Sequence, residues 1–259
     1  MKQEDIEKLR LQLEKGGFPF ELEVSREFVK NNWDVLNNTY YIDKDENKGR
    51  EIDLLANYTK QHQTNGHYTE CTFTFVVEIK KELEKPWVVF TTDTMHFEKL
   101  IHDIHRDKVH NNFDRHLLSK SFQKHNQKLN ERLGRSFTEG FSTSKRDKIF
   151  TSLCNVTKAF IHKLESIEKD SSQDSILYYF EPLVILNGQL FEAFLDENDK
   201  LKVDKKEYLQ VRFNYMSNFY KERTTGYLIN VVTKEYLSKY IKLRMEQFDK
   251  IFETNKQGK

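Results

Sequence analysis

Apolar positions recur at two different periods along the chain, and the changes of period mark its elements. Ile6, Leu9 and Leu13 follow one another at three and four residues and predict a helix over 3–15, ended by Gly16-Gly17. Pro19 suits the first position of a second helix, 19–31, whose one face carries Phe20, Val24 and Phe28. Residues 33–42 and 50–58 read as strands, the first bent near Asn37-Asn38, joined by the charged turn 43–49. A polar loop is expected over 59–71. Residues 72–80 (TFTFVVEIK) then give the clearest strand signal, rich in β-branched and aromatic residues. Pro86 precedes a further extended segment, 87–92.

The middle of the chain loses the strand pattern. Residues 95–133 read as a long polar helical stretch holding His96, His102, His105, His110, His116 and His125, and 134–144 as a loop. Ile149, Leu153, Val156, Phe160 and Leu164 form the stripe of a helix over 145–168. After a second polar loop, strands are expected at 176–186, 189–195, 208–216 and 226–233, with Asn187-Gly188 turning a hairpin between the first two. A last helix spans 234–253. No internal repeat is visible. The expected organisation is a core begun by 1–92, a helical insertion over 93–144, completion of the core by 145–188, and a β-rich extension with a terminal helix over 189–259.

Composition narrows the classes. A chain of 259 residues with 20 Phe, 12 Tyr and 2 Trp can bury its own core and is not a disordered chain. Its longest apolar runs, such as Trp87-Val88-Val89-Phe90, are far shorter than a membrane span, so no membrane association is expected. The first 30 residues mix acids and bases, so no secretory signal is expected. Cys71 and Cys154 form no CxxC pattern, which argues against a disulfide framework or zinc ribbon and suits a cytoplasmic location. A net charge of +1 argues against a tail-driven nucleic-acid binder. It leaves a nuclease open, because a metal site needs acids while the groove around it needs bases.

The candidate chemistry lies between residues 18 and 80. Glu78 and Lys80 are two apart on a strand and so share a face, with Phe73, Phe75, Val77 and Ile79 on the other. Antiparallel pairing with the preceding strand would bring Asp53 beside Glu78. Two adjacent carboxylates repel, and a divalent cation removes that penalty. Hard oxygen ligands suit Mg²⁺, with Mn²⁺ as the alternative. Such a metal polarises a phosphate oxygen, while a lysine orients water or offsets developing negative charge.

Helix, strand, Asp53, strand, Glu78-Ile79-Lys80, helix, strand resembles the PD-(D/E)xK, or restriction-endonuclease-like, nuclease superfamily. The matching stretches are Arg50-Glu51-Ile52-Asp53-Leu54-Leu55-Ala56 and Phe75-Val76-Val77-Glu78-Ile79-Lys80, and the likeness covers about the first 92 residues. Ile52 replaces the proline that usually precedes the aspartate. The resemblance implies an α/β fold with an α-β-β-β-α-β core. It also implies Asp53 and Glu78 as metal ligands and Lys80 as the catalytic lysine. Glu21 matches the glutamate that many members carry on the first helix, with Glu23 and Glu27 as competing choices on the solvated face. Lys81, Lys85, Lys145 and Arg146 are candidates for contacts to nucleic-acid phosphates. Trp87 reads as a packed aromatic.

The expected function is therefore Mg²⁺-dependent hydrolysis of phosphodiester bonds by an endonuclease, with DNA preferred over RNA, in restriction, repair or defence. Cutting two strands would suit a homodimer, and a protein partner is left open. The alternatives are a catalytically silent nucleic-acid-binding module on the same fold, an RNase, and a phosphohydrolase built on His102 and His105. The bland reading of those histidines, exposed positions on a polar helix, carries more weight.

Overall fold

The computed structural model describes residues 2–64, 67–93, 107–110, 132–141, 148–167, 175–220 and 226–256. Within them the order is α1 (Gln3–Lys15), α2 (Phe18–Lys30), β1 (Asp34–Asp43), β2 (Lys48–Thr64), β3 (His67–Asp93), β4 (Asp107–His110), β5 (Arg132–Glu139) and α3 (Lys148–Glu165). There follow β6 (Ser175–Leu195), β7 (Leu201–Lys206), β8 (Tyr208–Phe213), β9 (Tyr227–Thr233), a single 3₁₀ turn (Lys234–Tyr236) and α4 (Leu237–Lys256). The protein is a mixed α/β fold built on one sheet of nine described strands. No described helix is long and apolar enough to cross a membrane.

The strands β1, β2 and β3 form an antiparallel meander, and β6 lies parallel to β3. A parallel neighbour needs a crossover, and α3 supplies the helix of this one. α2, β1, β2, β3, α3 and β6 follow in that order, but two further strands, β4 and β5, stand between β3 and α3, where the expected α-β-β-β-α-β succession has none. Phe20, Val24 and Phe28 of α2 and Tyr240, Ile241 and Phe248 of α4 cover one face, on Leu54, Phe73, Phe75 and Val77. Trp33 stacks on Phe75 with centroids 4.9 Å apart, and Phe248 stacks on Phe73 at 4.0 Å. α3 packs on the other face: Ala159, Phe160 and Leu164 cluster with Tyr41, Ile52, Leu55 and Val76.

Several expectations need correction. The polar stretch 59–71 is not a loop: β2 and β3 continue as a ladder from Thr59↔Thr72 to Thr64↔His67. Its polar residues satisfy one another across the strands, as in the Thr59–Thr72 hydroxyl contact of 3.1 Å and the Gln61 bond to Glu70 of 3.1 Å. The segment 87–92 is not separate either. β3 runs through it, with a bulge between Glu82 and Trp87 that contains Pro86, a residue unable to donate to a ladder.

Asn187-Gly188 does not turn a hairpin. β6 passes straight through, pairing Asn187 with Lys81 and Gly188 with Glu82. The glycine answers a different need: a Cβ at 188 would lie 2.2 Å from the Glu82 carbonyl oxygen. The expected helical insertion and the loop 134–144 also change character, since Asp107–His110 and Arg132–Glu139 are strands. β5 pairs with the far half of β3, and Gly134 allows that approach, as a Cβ there would sit 2.6 Å from Val89 Cγ1. The remaining residues of 94–131 lie outside the described ones.

The β-rich extension does not stand apart from the core. β7 and β9 join β6, and the pairings β3-β5-β8-β9-β6-β3 close a ring of five strands. Trp87, Leu186, Val211 and Val231 of those strands cluster with Ile149, Leu153 and Val156 of α3. β3 is therefore shared: one half belongs to the meander, the other to the ring.

Candidate active site

The candidate residues meet where β2 and β3 part. The register that pairs Leu54 with Val77 stops there, one residue short of Asp53 and Glu78. Asp53 fills the gap: its Oδ2 accepts the backbone N–H of Ile79 at 2.6 Å. On the next position of the same face, Glu78 Oε1 lies 2.7 Å from the Lys80 ammonium and accepts a hydrogen bond from Asn155 Nδ2 at 3.1 Å. Glu78 is 4% exposed, whereas the Lys80 side chain keeps 35% of its surface open to solvent. The site is thus a buried carboxylate with a solvent-reaching lysine above it.

Glu21 joins them from the first turn of α2, close enough for the charges of Asp53, Glu51 and Lys80 to act on it. Glu23 instead pairs with Lys234, and Glu27 lies 3.7 Å from Lys30, so the helix directs Glu21 to the site.

Electrostatics follow from burial. Desolvation pushes the Glu78 carboxyl up to about 7; Lys80 opposes the rise and Asp53 adds to it. Desolvation also raises Asp53, against the Ile79 hydrogen bond and Lys80, with Glu51 adding to the rise. Glu21 is raised by burial first and then by the carboxylates of Asp53 and Glu51. Burial works against the Lys80 ammonium, yet Glu78, Asp53 and Glu21 outweigh it and hold its pKa above the usual value. Three carboxylates thus share one ammonium, and the cluster is short of positive charge.

That deficit tests the fit of a divalent cation. Asp53 and Glu78 are adjacent hard-oxygen donors whose mutual repulsion a cation would relieve, so the donor chemistry fits Mg²⁺ or Mn²⁺. Among the described residues no three His, Cys, Asp or Glu converge as a ready-made metal cage. A cation here would have two protein carboxylates and complete its shell with water or substrate oxygen.

Asn155, which has no part in the sequence pattern above, reaches from α3 to bond Glu78. α3 lays a polar seam along the Glu78-Lys80-Glu82 row of β3, with Asn155 against Glu78 and Lys148, seven residues earlier, in an ion pair with Glu82. Lys148 and Asn155 break the apolar stripe of α3 at a helical repeat, which is the signal that could have found them.

The lysines expected at phosphates behave differently. Side chains alternate across β3, so Lys81 leaves on the face opposite Lys80. Its Nζ donates to the carbonyls of Glu14, at 2.7 Å, and Gly16, at 3.4 Å, closing the C-terminal end of α1. Lys85 sits in the β3 bulge with its Nζ 3.9 Å from Glu139 Oε2. Trp87 is a packed core residue, as expected. Lys145 and Arg146 lie outside the described residues, as do His96, His102, His105, His116 and His125; His110 falls on β4.

No protein-family model matches the chain, and neither a curated protein nor a solved structure is similar to it.

Proposed function

We propose that this protein is a metal-dependent nuclease with a PD-(D/E)xK-type, restriction-endonuclease-like core, acting on DNA in preference to RNA. The observation that carries the reading is the meeting of Asp53, Glu78, Lys80 and Glu21 at the fork between β2 and β3, with Asp53 fixed by the Ile79 amide. Buried acids that surround a solvent-reaching lysine are costly to fold, and such arrangements cluster at functional sites.

In this reading Asp53 and Glu78 would hold Mg²⁺ or Mn²⁺, which would supply polarisation of the scissile phosphate and a more acidic water. Lys80, paired with Glu78 and reaching solvent, would orient the attacking water and offset negative charge developing on phosphorus oxygens. Glu21 adds negative charge within reach of Asp53 and Lys80 and would help to hold a cation there. Asn155 holds Glu78 Oε1 in place by its hydrogen bond. A restriction, repair or defence role goes with the fold type by analogy.

The substrate class is tested by offering supercoiled plasmid, single-stranded DNA and single-stranded RNA in parallel, with Mg²⁺, Mn²⁺ or chelator. Metal-dependent cutting of DNA supports the reading. Cutting of RNA alone replaces it with a ribonuclease. Chelator-resistant binding without cutting replaces it with a silent binding module.

A further inference from the structure

Large apolar side chains left in solvent lie around the candidate site. Phe18 and Leu22 of α2 are 70% and 67% exposed, and Tyr40 and Ile42 of β1 are 68% and 57% exposed. Tyr40 stands directly across the ladder from Glu51, which puts the two Cβ atoms about 5 Å apart. Ile42, two residues on, shares that face. Glu51 accepts the side-chain amide of Asn38, and its charge reaches both Asp53 and Glu21. Phe18 precedes Glu21 by three residues and Leu22 by four, so it neighbours both on the surface of α2. One turn on from Glu21, Ser25 accepts a hydrogen bond of 3.3 Å from Asn37, so this flank of α2 looks toward β1.

Among the described residues the rings of Phe18 and Tyr40 have no stacking, cation or hydrogen-bonding partner. The acids between them limit what can cover them. Glu51 is exposed beside Tyr40, and Glu21 lies beside Phe18. An apolar protein surface packed on the rings would strip water from those carboxylates and return no counter-charge. A nucleic-acid strand suits both kinds of group. Its phosphates go to Lys80 and to a cation on the acids, and the flat faces of its bases go to the rings. Every base has such a face, so the contact carries no sequence preference.

We propose that Phe18 and Tyr40 are stacking platforms for unpaired bases next to the scissile phosphate, and that the substrate is therefore single-stranded DNA or an unpaired segment of a duplex. Paired bases cover one another's faces and offer only their edges in the grooves, so an intact duplex cannot use the rings. The inference rests on the nuclease reading above and narrows it to single strands. A linear duplex is then a poor substrate, while a supercoiled plasmid is cut where negative supercoiling opens it.

The test compares cleavage of a labelled DNA oligonucleotide, alone and annealed to its complement, with Mg²⁺. The wild type is expected to cut the single strand with a kcat/KM at least about 10-fold higher than the duplex. Tyr40→Ala and Phe18→Ala should each raise KM for the single strand at least about 5-fold, and the double variant should lose the preference. Tyr40→Trp should keep it, because any ring stacks, whereas Tyr40→Leu should not. Both side chains are solvent-exposed, so melting temperatures should be unchanged. Anisotropy of the same oligonucleotides with Ca²⁺ in place of Mg²⁺ should give the same order of binding. Metal-dependent cutting that is equal on both substrates, or a preference that survives the double alanine variant, would overturn this inference and leave the nuclease reading standing. Absence of both cutting and binding on every substrate would overturn the nuclease reading and this inference with it.

Discussion

Asp53 stands in for a backbone carbonyl: its Oδ2 accepts the N–H of Ile79 at 2.6 Å, just where the ladder between β2 and β3 has ended. One carboxylate therefore closes a hole in the sheet and adds its charge to the field that raises Glu78. Substitution can separate the two roles. Asparagine keeps an acceptor for Ile79 and removes the charge. Alanine removes both and leaves a half-buried amide unsatisfied, at about 1–3 kcal/mol. Thermal or urea unfolding should find Asp53→Asn at least as stable as the wild type and Asp53→Ala less stable, with the proposed nuclease activity absent from both.

Glu78 should set the pH dependence. Its carboxyl is raised to about 7 in the folded protein, above its value in an unfolded chain, chiefly through burial. A raised acid favours folding while protonated, so its contribution is full below the unfolded value and is lost as pH rises through about 7. Glu78→Gln should therefore gain stability relative to the wild type as pH increases across that window. A metal must displace the same proton. Mn²⁺ affinity measured by calorimetry should rise up to about pH 7 and then level off in the wild type, and should be lost in the variant.

Asn155 is a positioning residue, and its effect should appear in a pH profile. It donates to Glu78 and so favours the ionised carboxylate. Removing it in Asn155→Ala should move the acid limb of activity upward by about 1 pH unit, with the rate at high pH largely kept. A uniform loss of rate with an unmoved limb would mean that it only packs.

Much of this site was legible in the sequence because it rests on short-range rules. Period two along 72–80 places Glu78 and Lys80 on one face and Phe73, Phe75 and Val77 on the other, and the clusters agree. The stripes of α2 and α3 identify their buried faces in the same way. What could not be read depends on contacts far apart in the chain. Gly188 and Gly134 look like turn residues until the strand opposite each is known. The 59–71 ladder has polar pairs where a hydrophobic alternation was sought. Lys81 resembles a phosphate contact until α1 is found behind it.

The buried pair Glu181 and Arg244 shows the same limit of local reading. The expected strand and helix placed them in regular elements, but nothing local shows that they meet. Glu181 is fully buried on β6, where Arg244 and the hydroxyls of Tyr240, at 2.7 Å, and Tyr179, at 3.2 Å, bond to it. Removing one partner strands the other charge. Arg244→Met should cost about 3–5 kcal/mol of stability in denaturant unfolding, while activity per folded molecule is kept.

The most direct test of the account is cleavage of supercoiled plasmid by wild type, Asp53→Asn and Lys80→Ala, each confirmed folded by circular dichroism, with Mg²⁺ and with chelator. The expected result is cutting by the wild type that chelator abolishes and that neither variant retains. Equal cutting by all three proteins, or cutting that survives chelation, would contradict it.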